Sequence, residues 1–308
     1  MTDSSPRLQA TLFGFAAVLF WSSMFAVSRD VMTTIGPLTA GSLIYLSSGL
    51  FGVGLLLLNS GGIKKACSLP KPYLLKGGGA FVLMLICLYL AIGFVEEKQT
   101  VVEIGLLNYI WPGIVLAMSV PILKKKARWT LAPGILIAFV GAFVALTKEG
   151  EFSWVRFGDN ALANFWPYFF TMVNVLAWGF YSNYSKKYAG ETDGNAVPFF
   201  FLIAGLALGS LALFACETTR WSLRVGLEFA YLAIFPNFLA YFFWDQAMRR
   251  GNMTLVVLFA YFTPLLSTLF SCFFLGVLFN QRFLTACALV ILGAVVSGWS
   301  IKEKKTNA

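Results

Sequence analysis

The sequence VVEIGLLNYIWPGIVLAM, residues 101–118, places an acid, an amide and a helix-breaking proline in an otherwise apolar segment. Between Glu103 and Lys124 the chain carries no charge, which leaves a run of 20 residues at 104–123. A helix needs about 20 mostly apolar residues to cross the hydrocarbon core of a bilayer. The stretch therefore predicts a membrane-spanning helix with polar residues and a proline inside it.

The whole chain has the composition of a membrane protein. Of its 308 residues, 58% are hydrophobic and only 12% are charged, and the mean hydropathy is +0.76. A soluble domain carries about 25% charged residues. The charge-free windows are 8–28, 31–63, 77–95, 104–123, 129–147, 160–185, 194–216, 229–244, 251–281 and 283–301. These windows predict an all-α polytopic membrane protein with ten transmembrane helices.

Two of the windows need adjustment. The window 229–244 reaches spanning length only if its helix continues through Asp245 to about Met248, which places Asp245 in or beside the bilayer. The window 31–63 is longer than a span, and its first part contains Gly36 and Pro37. Glycine and proline favour a connection, so we expect the second helix to cover about residues 38–58.

The basic residues predict the orientation. With both termini inside, 16 of the 23 Lys and Arg residues fall in inside segments and 7 in outside segments, in line with the retention of basic residues in the cytoplasm. The same bias explains the net charge of +9, so no nucleic-acid partner is expected. The first apolar stretch, Leu8–Ser28, is interpreted as a helix rather than a cleaved signal peptide, and the five scattered cysteines as packing residues.

The sequence also repeats itself. Tyr109 and Pro112 in the fourth segment recur 152 residues later as Tyr261 and Pro264 in the ninth. The same 152 residues separate Tyr89 from Tyr241, and 157 residues separate Trp21 from Trp178. The matches predict two five-helix halves, residues 1–150 and 151–308. Because five is odd, the second half enters from the opposite side, which gives an inverted repeat around a central cavity.

These features resemble the drug/metabolite transporter superfamily. Within it, EIGLLNYIWP (103–112) and YFTPLLS (261–267) resemble the YddG-type exporters of aromatic amino acids in bacterial inner membranes. The resemblance implies a ten-helix basket whose central cavity opens alternately to either side. It also implies export of aromatic amino acids or related small metabolites.

The polar and aromatic faces of six segments predict the lining of that cavity. Residues three and four apart share a helix face, so Asn108 lies with Trp111, and Asn174 with Trp178. Buried amides need partners, and aromatic faces attract rings and cations. The candidate substrate-binding residues are Trp21, Tyr89, Asn108, Tyr109, Trp111, Asn174, Trp178, Tyr181, Tyr241, Trp244 and Tyr261. The alternative for the aromatic residues is an interfacial belt.

Two prolines and two acids complete the prediction. Pro112 and Pro264 are expected to kink their helices, with any hinge role secondary to packing. Asp245 is expected either to pair with Arg249 one turn away or to bind a proton or a substrate ammonium. Glu103 is a second candidate for coupling, near the outer end of the fourth segment, and we expect it not to meet Asp245.

An enzyme is the competing class of function. The chain has no histidine, no phosphate-binding glycine loop and no dinucleotide fingerprint, so we expect no catalytic residue, no metal site and no cofactor. The expected partners are a small-molecule substrate and the lipid bilayer, and no obligatory protein partner is evident. The alternative within the same superfamily is a transporter or exchanger of another metabolite or of a drug cation.

Overall fold

A computed structural model describes residues 4–95, 98–147, 153–190, 192–275 and 281–302 of the chain. These residues are almost entirely helical. In the first half the α-helices are α1 (Ser4–Ile35), α2 (Pro37–Leu58), α3 (Gly62–Cys67), α4 (Gly78–Gly93), α5 (Lys98–Asn108), α6 (Trp111–Leu123) and α7 (Leu131–Leu146). In the second half they are α8 (Trp154–Ala163), α9 (Phe165–Tyr184), α10 (Val197–Ala215), α11 (Leu223–Leu232), α12 (Ala240–Arg250), α13 (Met253–Ala260), α14 (Thr263–Leu275) and α15 (Gln281–Ser300).

Three wider π-helical turns join or extend these helices. Tyr73–Gly77 leads into α4, Ser185–Ala189 extends α9, and Ala233–Leu239 joins α11 to α12. The last of these turns contains Pro236. Because proline has no N–H, a regular helix would lose a hydrogen bond at this point. The π-helical turn accommodates the proline, and the helix runs without a break from Leu223 to Arg250.

The helices have membrane-spanning dimensions. Among the described residues, six stretches are long and apolar enough to cross a bilayer: Pro37–Leu58, Tyr73–Gly93, Glu103–Leu123, Val197–Ala215, Leu223–Arg250 and Phe283–Ser300. The shorter Leu131–Leu146 is also apolar. The stretch Leu223–Arg250 confirms that the eighth predicted helix continues through Asp245. Large side chains such as Leu58 and Phe214, each 85% exposed, cover the outside, which suits contact with lipid rather than with water.

The connection expected at residues 31–39 is wrong. Helix α1 continues to Ile35, and α2 begins at Pro37, so Gly36 alone forms the turn. Gly36 has a φ of 91°, which glycine adopts without the steric cost of a Cβ atom. The carboxylate of Glu217 then accepts hydrogen bonds from the N–H groups of Leu38 (3.0 Å) and Thr39 (2.7 Å) at the start of α2.

Two predicted helices are interrupted at equivalent places. Helix α5 ends at Asn108 and α6 starts at Trp111, so Tyr109 and Ile110 form a turn between them. In the second half, α13 ends at Ala260 and α14 starts at Thr263, with Tyr261 and Phe262 in the turn. Pro112 and Pro264 are both the second residue of the helix that follows. A proline in the first turn of a helix sacrifices no hydrogen bond, so the interruption accommodates both rings.

The helix pairing follows a simple exchange rule between the two halves. The most extensive contacts join α7 to α15 and α2 to α10, followed by α4 with α9 and α1 with α12. Helix α9 also packs on α6, as α1 packs on α14. When the first five predicted segments are interchanged with the last five, in order, the α4–α9 pair corresponds to the α1–α12 pair. The α6–α9 pair then corresponds to the α1–α14 pair.

The closest of these contacts depends on small residues. At the α7–α15 interface, a Cβ atom on Gly293 would lie 2.2 Å from the backbone nitrogen of Ala138. A Cβ atom on Gly141 would lie 2.7 Å from the backbone nitrogen of Val290. Glycine therefore allows these two backbones to approach each other, as is common between membrane helices.

A short strand pair fixes one end of the bundle. Strand β1 (Lys126–Ala127) follows α6, and strand β2 (Ile301–Lys302) follows α15. They pair in antiparallel register, and the N–H of Arg128 donates to the carbonyl of Ser300 over 2.9 Å. The basic loop after α6 and the C-terminal segment therefore lie on the same side of the molecule.

Candidate functional site

Seven aromatic residues pack together at the centre of the bundle. We call this set the aromatic cluster: Trp21, Phe81, Trp111, Trp178, Tyr181, Tyr241 and Trp244. The Trp178 ring stacks on the Trp244 ring with centroids 5.4 Å apart and meets the Trp21 ring edge-on at 5.6 Å. The Trp111 ring lies 5.3 Å from that of Trp244. Six of these residues are predicted substrate-binding residues, and the structure brings them together from α1, α6, α9 and α12.

Hydrogen bonds orient two of the indoles. The Trp21 Nε1–H donates to the carbonyl of Pro236 over 2.9 Å, inside the π-helical turn before α12. The Trp244 Nε1–H donates to Ser182 Oγ on α9 over 3.1 Å. Edge-to-face and offset contacts at these distances are favourable for aromatic rings. The cluster is therefore a preorganised set of ring faces.

The rings fill the place where an open central cavity is expected from the sequence. Trp178 is 6% exposed, Trp111 8% and Tyr241 9%, and each lies in contact with other members of the cluster. In this conformation the predicted lining residues face one another. A planar molecule can enter only where two rings separate.

A buried carboxylate lies directly beyond the cluster. Asp245 Oδ1 accepts hydrogen bonds from the hydroxyl groups of Tyr73 and Tyr181, each over 2.9 Å. Asp245 Oδ2 accepts from Arg249 Nη1 over 2.9 Å and from Asn195 Nδ2 over 3.3 Å. We call these five residues the Asp245 network. The side chains of Asp245 and Arg249 are fully buried, so each charge depends on its partner.

The guanidinium of Arg249 ties the network to the segment before α10. Its Nη1 also donates to the carbonyl of Gly194 over 2.8 Å, and its Nη2 donates to both the carbonyl and, over 3.0 Å, the hydroxyl of Thr192. Next to it, Arg250 donates to the exposed Asp193 over 2.7 Å. The hydrogen bond and charge of Arg250 lower the pKa of the Asp193 carboxyl from its ordinary value. Hydrogen bonds among four elements therefore close this end of the bundle: the turn Tyr73–Gly77, α9, the segment before α10, and α12.

A second acid occupies a separate network. Glu103 on α5 is 1% exposed and accepts a short hydrogen bond from the hydroxyl of Tyr168 and 3.3 Å bonds from Asn160 Nδ2. Tyr168 and Tyr181 are 13 residues apart on α9, or about 20 Å at 1.5 Å per residue. Glu103 and Asp245 therefore bind different parts of the same helix. In the part of the chain that the structure describes, no group of three or more acidic or cysteine side chains is arranged to hold a metal ion.

Other predicted binding residues lie outside the cluster. The Asn174 amide donates to the carbonyl of Met84 over 2.8 Å and so joins α9 to α4. Tyr89 packs edge-on against Tyr45 at 5.3 Å. Tyr261, in the turn after α13, and Ile110, in the turn before α6, line an apolar cavity of about 280 Å³ together with Phe139 on α7.

The remaining predicted residues mark the helix interruptions. Asn108 is half-buried at the end of α5, and Tyr109 is buried in the turn that follows it. Pro112 and Pro264 are buried one residue inside the next helices. These residues position the two halves of each broken helix.

Five residues of the two networks and the cluster were not predicted. Tyr73 and Asn195 both bind Asp245, Phe81 packs 4.7 Å from Tyr181, and Tyr168 and Asn160 bind Glu103. Lys76 separates Tyr73 from the third charge-free window, so the tyrosine falls outside the span judged by charge. Phe81 is one of 31 phenylalanines, and its sequence has no feature that singles it out.

Part of the chain matches a known family of membrane proteins. Residues 165–299 match the EamA-like transporter family. The match and the polytopic helical bundle support a membrane transport protein. The chain is a multi-pass membrane protein whose second half is similar to the EamA-like transporters of the drug/metabolite transporter superfamily.

Several relatives align over nearly the whole chain. The aromatic amino acid exporter YddG of Escherichia coli K12 is 29% identical over 294 residues, which are 95% of this chain and 97% of the relative. YddG of Salmonella typhimurium 14028s is 28% identical, with coverage of 94% and 96%. The inner membrane transporter YedA of Escherichia coli K12 is 24% identical, with coverage of 92% and 88%. A solved crystal structure that is 26% identical superposes with a TM-score of 0.77 over 94% of this chain and 96% of the other.

Proposed function

We propose that the protein is a secondary transporter that exports aromatic amino acids or related small metabolites across the inner membrane by alternating access. The observation that carries the proposal is the aromatic cluster at the centre of the bundle, which lies against one buried acid network and is separated along α9 from another. Ring faces bind planar apolar groups, and their mutual contacts show that this region tolerates dense aromatic packing. The names of the YddG relatives support the same substrate class.

The proposed substrate site consists of Trp21, Trp111, Trp178, Tyr181, Tyr241 and Trp244. Residues 1–150 and 151–308 are the proposed inverted halves. Support comes from the matched interruptions at Tyr109 and Tyr261 and from helix pairs that exchange between the halves. Inverted repeats place a substrate site near the midplane, and rocking of one half against the other exposes it to each side in turn.

The two acid networks are the proposed closures of the substrate site. The Asp245 network closes the end of the bundle near α12, and the Glu103 network joins α5 to the beginning of α9. Closed at both ends, the cluster is isolated from water. Alternating access requires that one network opens while the other stays closed.

Transport by the purified protein in liposomes tests the proposal. The panel contains radiolabelled L-phenylalanine, L-tyrosine and L-tryptophan, with L-alanine and L-glutamate as non-aromatic controls and N-methylpyridinium as a planar cation. We expect saturable exchange of the aromatic amino acids above the level of protein-free liposomes. Exchange of N-methylpyridinium alone would instead favour a drug-cation transporter, and exchange of L-glutamate but not of aromatic amino acids would contradict the proposed substrate class.

A further inference from the structure

Tyr181 belongs to both the aromatic cluster and the Asp245 network. Its ring stacks on that of Trp178 with centroids 5.4 Å apart, and it meets the ring of Phe81 at 4.7 Å. Its hydroxyl donates to Asp245 Oδ1 over 2.9 Å. The side chain is fully buried, so the ring cannot shift without disturbing one of these contacts. One rigid side chain thus joins the proposed substrate site to the proposed closure.

The acceptor of that hydrogen bond is held in place by other elements. Arg249 and Asn195 hold Oδ2 of Asp245, and Tyr73 donates to the same Oδ1 atom as Tyr181. Arg249 is itself bound to Gly194 and Thr192. The carboxylate therefore does not follow when the Tyr181 ring moves. A displacement of that ring lengthens the hydrogen bond to Asp245.

We infer that Tyr181 couples occupancy of the aromatic cluster to opening of the Asp245 network. The inference rests on the proposed function, because it takes an aromatic amino acid as the molecule that enters the cluster. A substrate ring inserted between Trp178 and Tyr181 pushes the Tyr181 ring away from Trp178. The displaced hydroxyl leaves Asp245, and the network loses one charge-assisted hydrogen bond.

Coupling of this kind is reciprocal. If substrate weakens the network by the value of one hydrogen bond, then the closed network weakens substrate binding by the same factor. A hydrogen bond to a charged group accounts for a change of about ten-fold in an equilibrium constant. Loss of the Tyr181 hydroxyl should remove that penalty while the ring remains in place to bind substrate.

Tyr73 offers a matched control. It donates to the same Oδ1 atom over the same 2.9 Å and is also fully buried. Its ring, however, lies against Phe200 at 5.8 Å and beneath the guanidinium of Arg249 at 5.6 Å. Tyr73→Phe and Tyr181→Phe therefore each remove one hydrogen bond from the same carboxylate oxygen, but only Tyr181 stacks on Trp178.

The test combines two measurements on the full-length protein in nanodiscs. Equilibrium binding of radiolabelled L-phenylalanine reports on the cluster. Hydrogen–deuterium exchange of residues 192–197 reports on the network, because the N–H of Val197 is bound to Asn195 Oδ1 over 2.9 Å. In the parental protein we expect L-phenylalanine at saturation to increase exchange in this segment.

The two variants should differ in their affinity for L-phenylalanine and in the effect of L-phenylalanine on exchange at residues 192–197. Tyr181→Phe should bind L-phenylalanine up to about ten-fold more tightly, and its exchange at 192–197 should be high with or without ligand. Tyr73→Phe should also raise exchange without ligand, but L-phenylalanine should raise it further and the affinity should stay close to parental. A hydroxyl with a merely structural role would produce the same ligand response in both variants.

Each outcome decides the inference. Equal ligand responses of the two variants would overturn it while leaving the proposed function intact. If Tyr181→Phe does not fold, the parental protein still provides the test, since unchanged exchange at 192–197 on saturation with L-phenylalanine would overturn the coupling. Failure of the parental protein to bind any aromatic amino acid would overturn the proposed function and the inference together.

Discussion

At the scale of single residues, the Asp245–Arg249 pair shows how a membrane helix accommodates charge. Both side chains are fully buried, and two tyrosines, an asparagine and backbone carbonyls saturate most of their hydrogen-bonding groups. Removing two charges from water costs several kcal/mol per ion, and only a partner with good geometry offsets this cost. The pair is therefore stable as a unit, and each member alone is destabilising.

The first prediction follows from that asymmetry. Asp245→Asn leaves Arg249 charged and buried without its counter-ion, which should lower the stability of the protein by about 3–5 kcal/mol. Thermal unfolding in detergent and the yield of monodisperse protein measure the effect. The double variant Asp245→Asn with Arg249→Gln removes both charges and should recover part of the loss. A single variant as stable as the parental protein would show that the pair contributes nothing to folding.

Much of the residue-scale arrangement was predictable, and the reason for each miss is physical. The i, i+4 spacing of Asp245 and Arg249 and the polar stripes on α9 and α12 are local properties of a helix. The substrate-binding role of Asn174 stays a prediction, and the hydrogen bond from its amide to the carbonyl of Met84 on α4 is a contact that helix periodicity does not reveal. Tyr73 and Asn195 reach Asp245 from distant parts of the chain, and helix periodicity contains no information about such contacts.

At the scale of elements, the two interrupted helices are the features most suited to movement. Tyr109–Ile110 and Tyr261–Phe262 each form a turn between two short helices, and a proline follows two residues later in both cases. A turn of this kind allows the helix on either side to change direction without breaking regular hydrogen bonds. The interruptions lie beside the α6–α9 and α1–α14 contacts that would shift as the halves rock.

Replacing these prolines should test their role. Pro112→Ala and Pro264→Ala restore an N–H that can donate four residues back, so the helices can close across the turns. We expect several-fold slower exchange of L-phenylalanine in liposomes, with thermal stability equal to or above the parental value. Pro121, which lies inside the continuous helix α6, is the matched control. The Pro121→Ala variant should exchange L-phenylalanine at the parental rate. Parental rates for Pro112→Ala and Pro264→Ala would reduce both prolines to packing residues.

The sequence predicted helices better than it predicted their ends and internal turns. Charge-free windows located the apolar segments because burying charge in lipid is costly, a rule that depends only on composition. The windows did not reveal that α1 continues to Ile35, since the charged residue Asp30 interrupts the apolar pattern. The π-helical turns depend on the spacing of backbone hydrogen bonds, which has no compositional signature.

At the scale of the whole molecule, the paired strands link the charge distribution to the fold. The lysine-rich loop after α6 and the segment after α15 lie together, as the basic-residue bias requires. Both carry lysines, and the tally of basic residues predicts that both are cytoplasmic. The predicted orientation thus requires that a single side of the molecule holds both segments.

Labelling of intact cells measures that orientation. In a background without native cysteines, a membrane-impermeant maleimide should react with Asp159→Cys on α8 and should not react with Lys126→Cys on β1 until the cells are opened. Both positions are exposed on the protein surface, so access to the compartment decides the reaction. Efficient labelling of Lys126→Cys on intact cells would reverse the topology.

If the aromatic cluster binds the transported molecule, loss of the Trp178 ring should weaken binding, because this ring contacts Trp21, Trp111, Tyr181, Tyr241 and Trp244. Concentration-dependent transport of L-phenylalanine in liposomes is measured for Trp178→Ala and for Trp299→Ala, whose ring is 76% exposed on α15. A buried aromatic side chain contributes about 1.5–3 kcal/mol, so Trp178→Ala should raise the apparent KM about ten-fold or more, while Trp299→Ala should keep the parental value. A folded Trp178→Ala protein with parental KM and rate would show that the aromatic cluster does not bind the transported molecule.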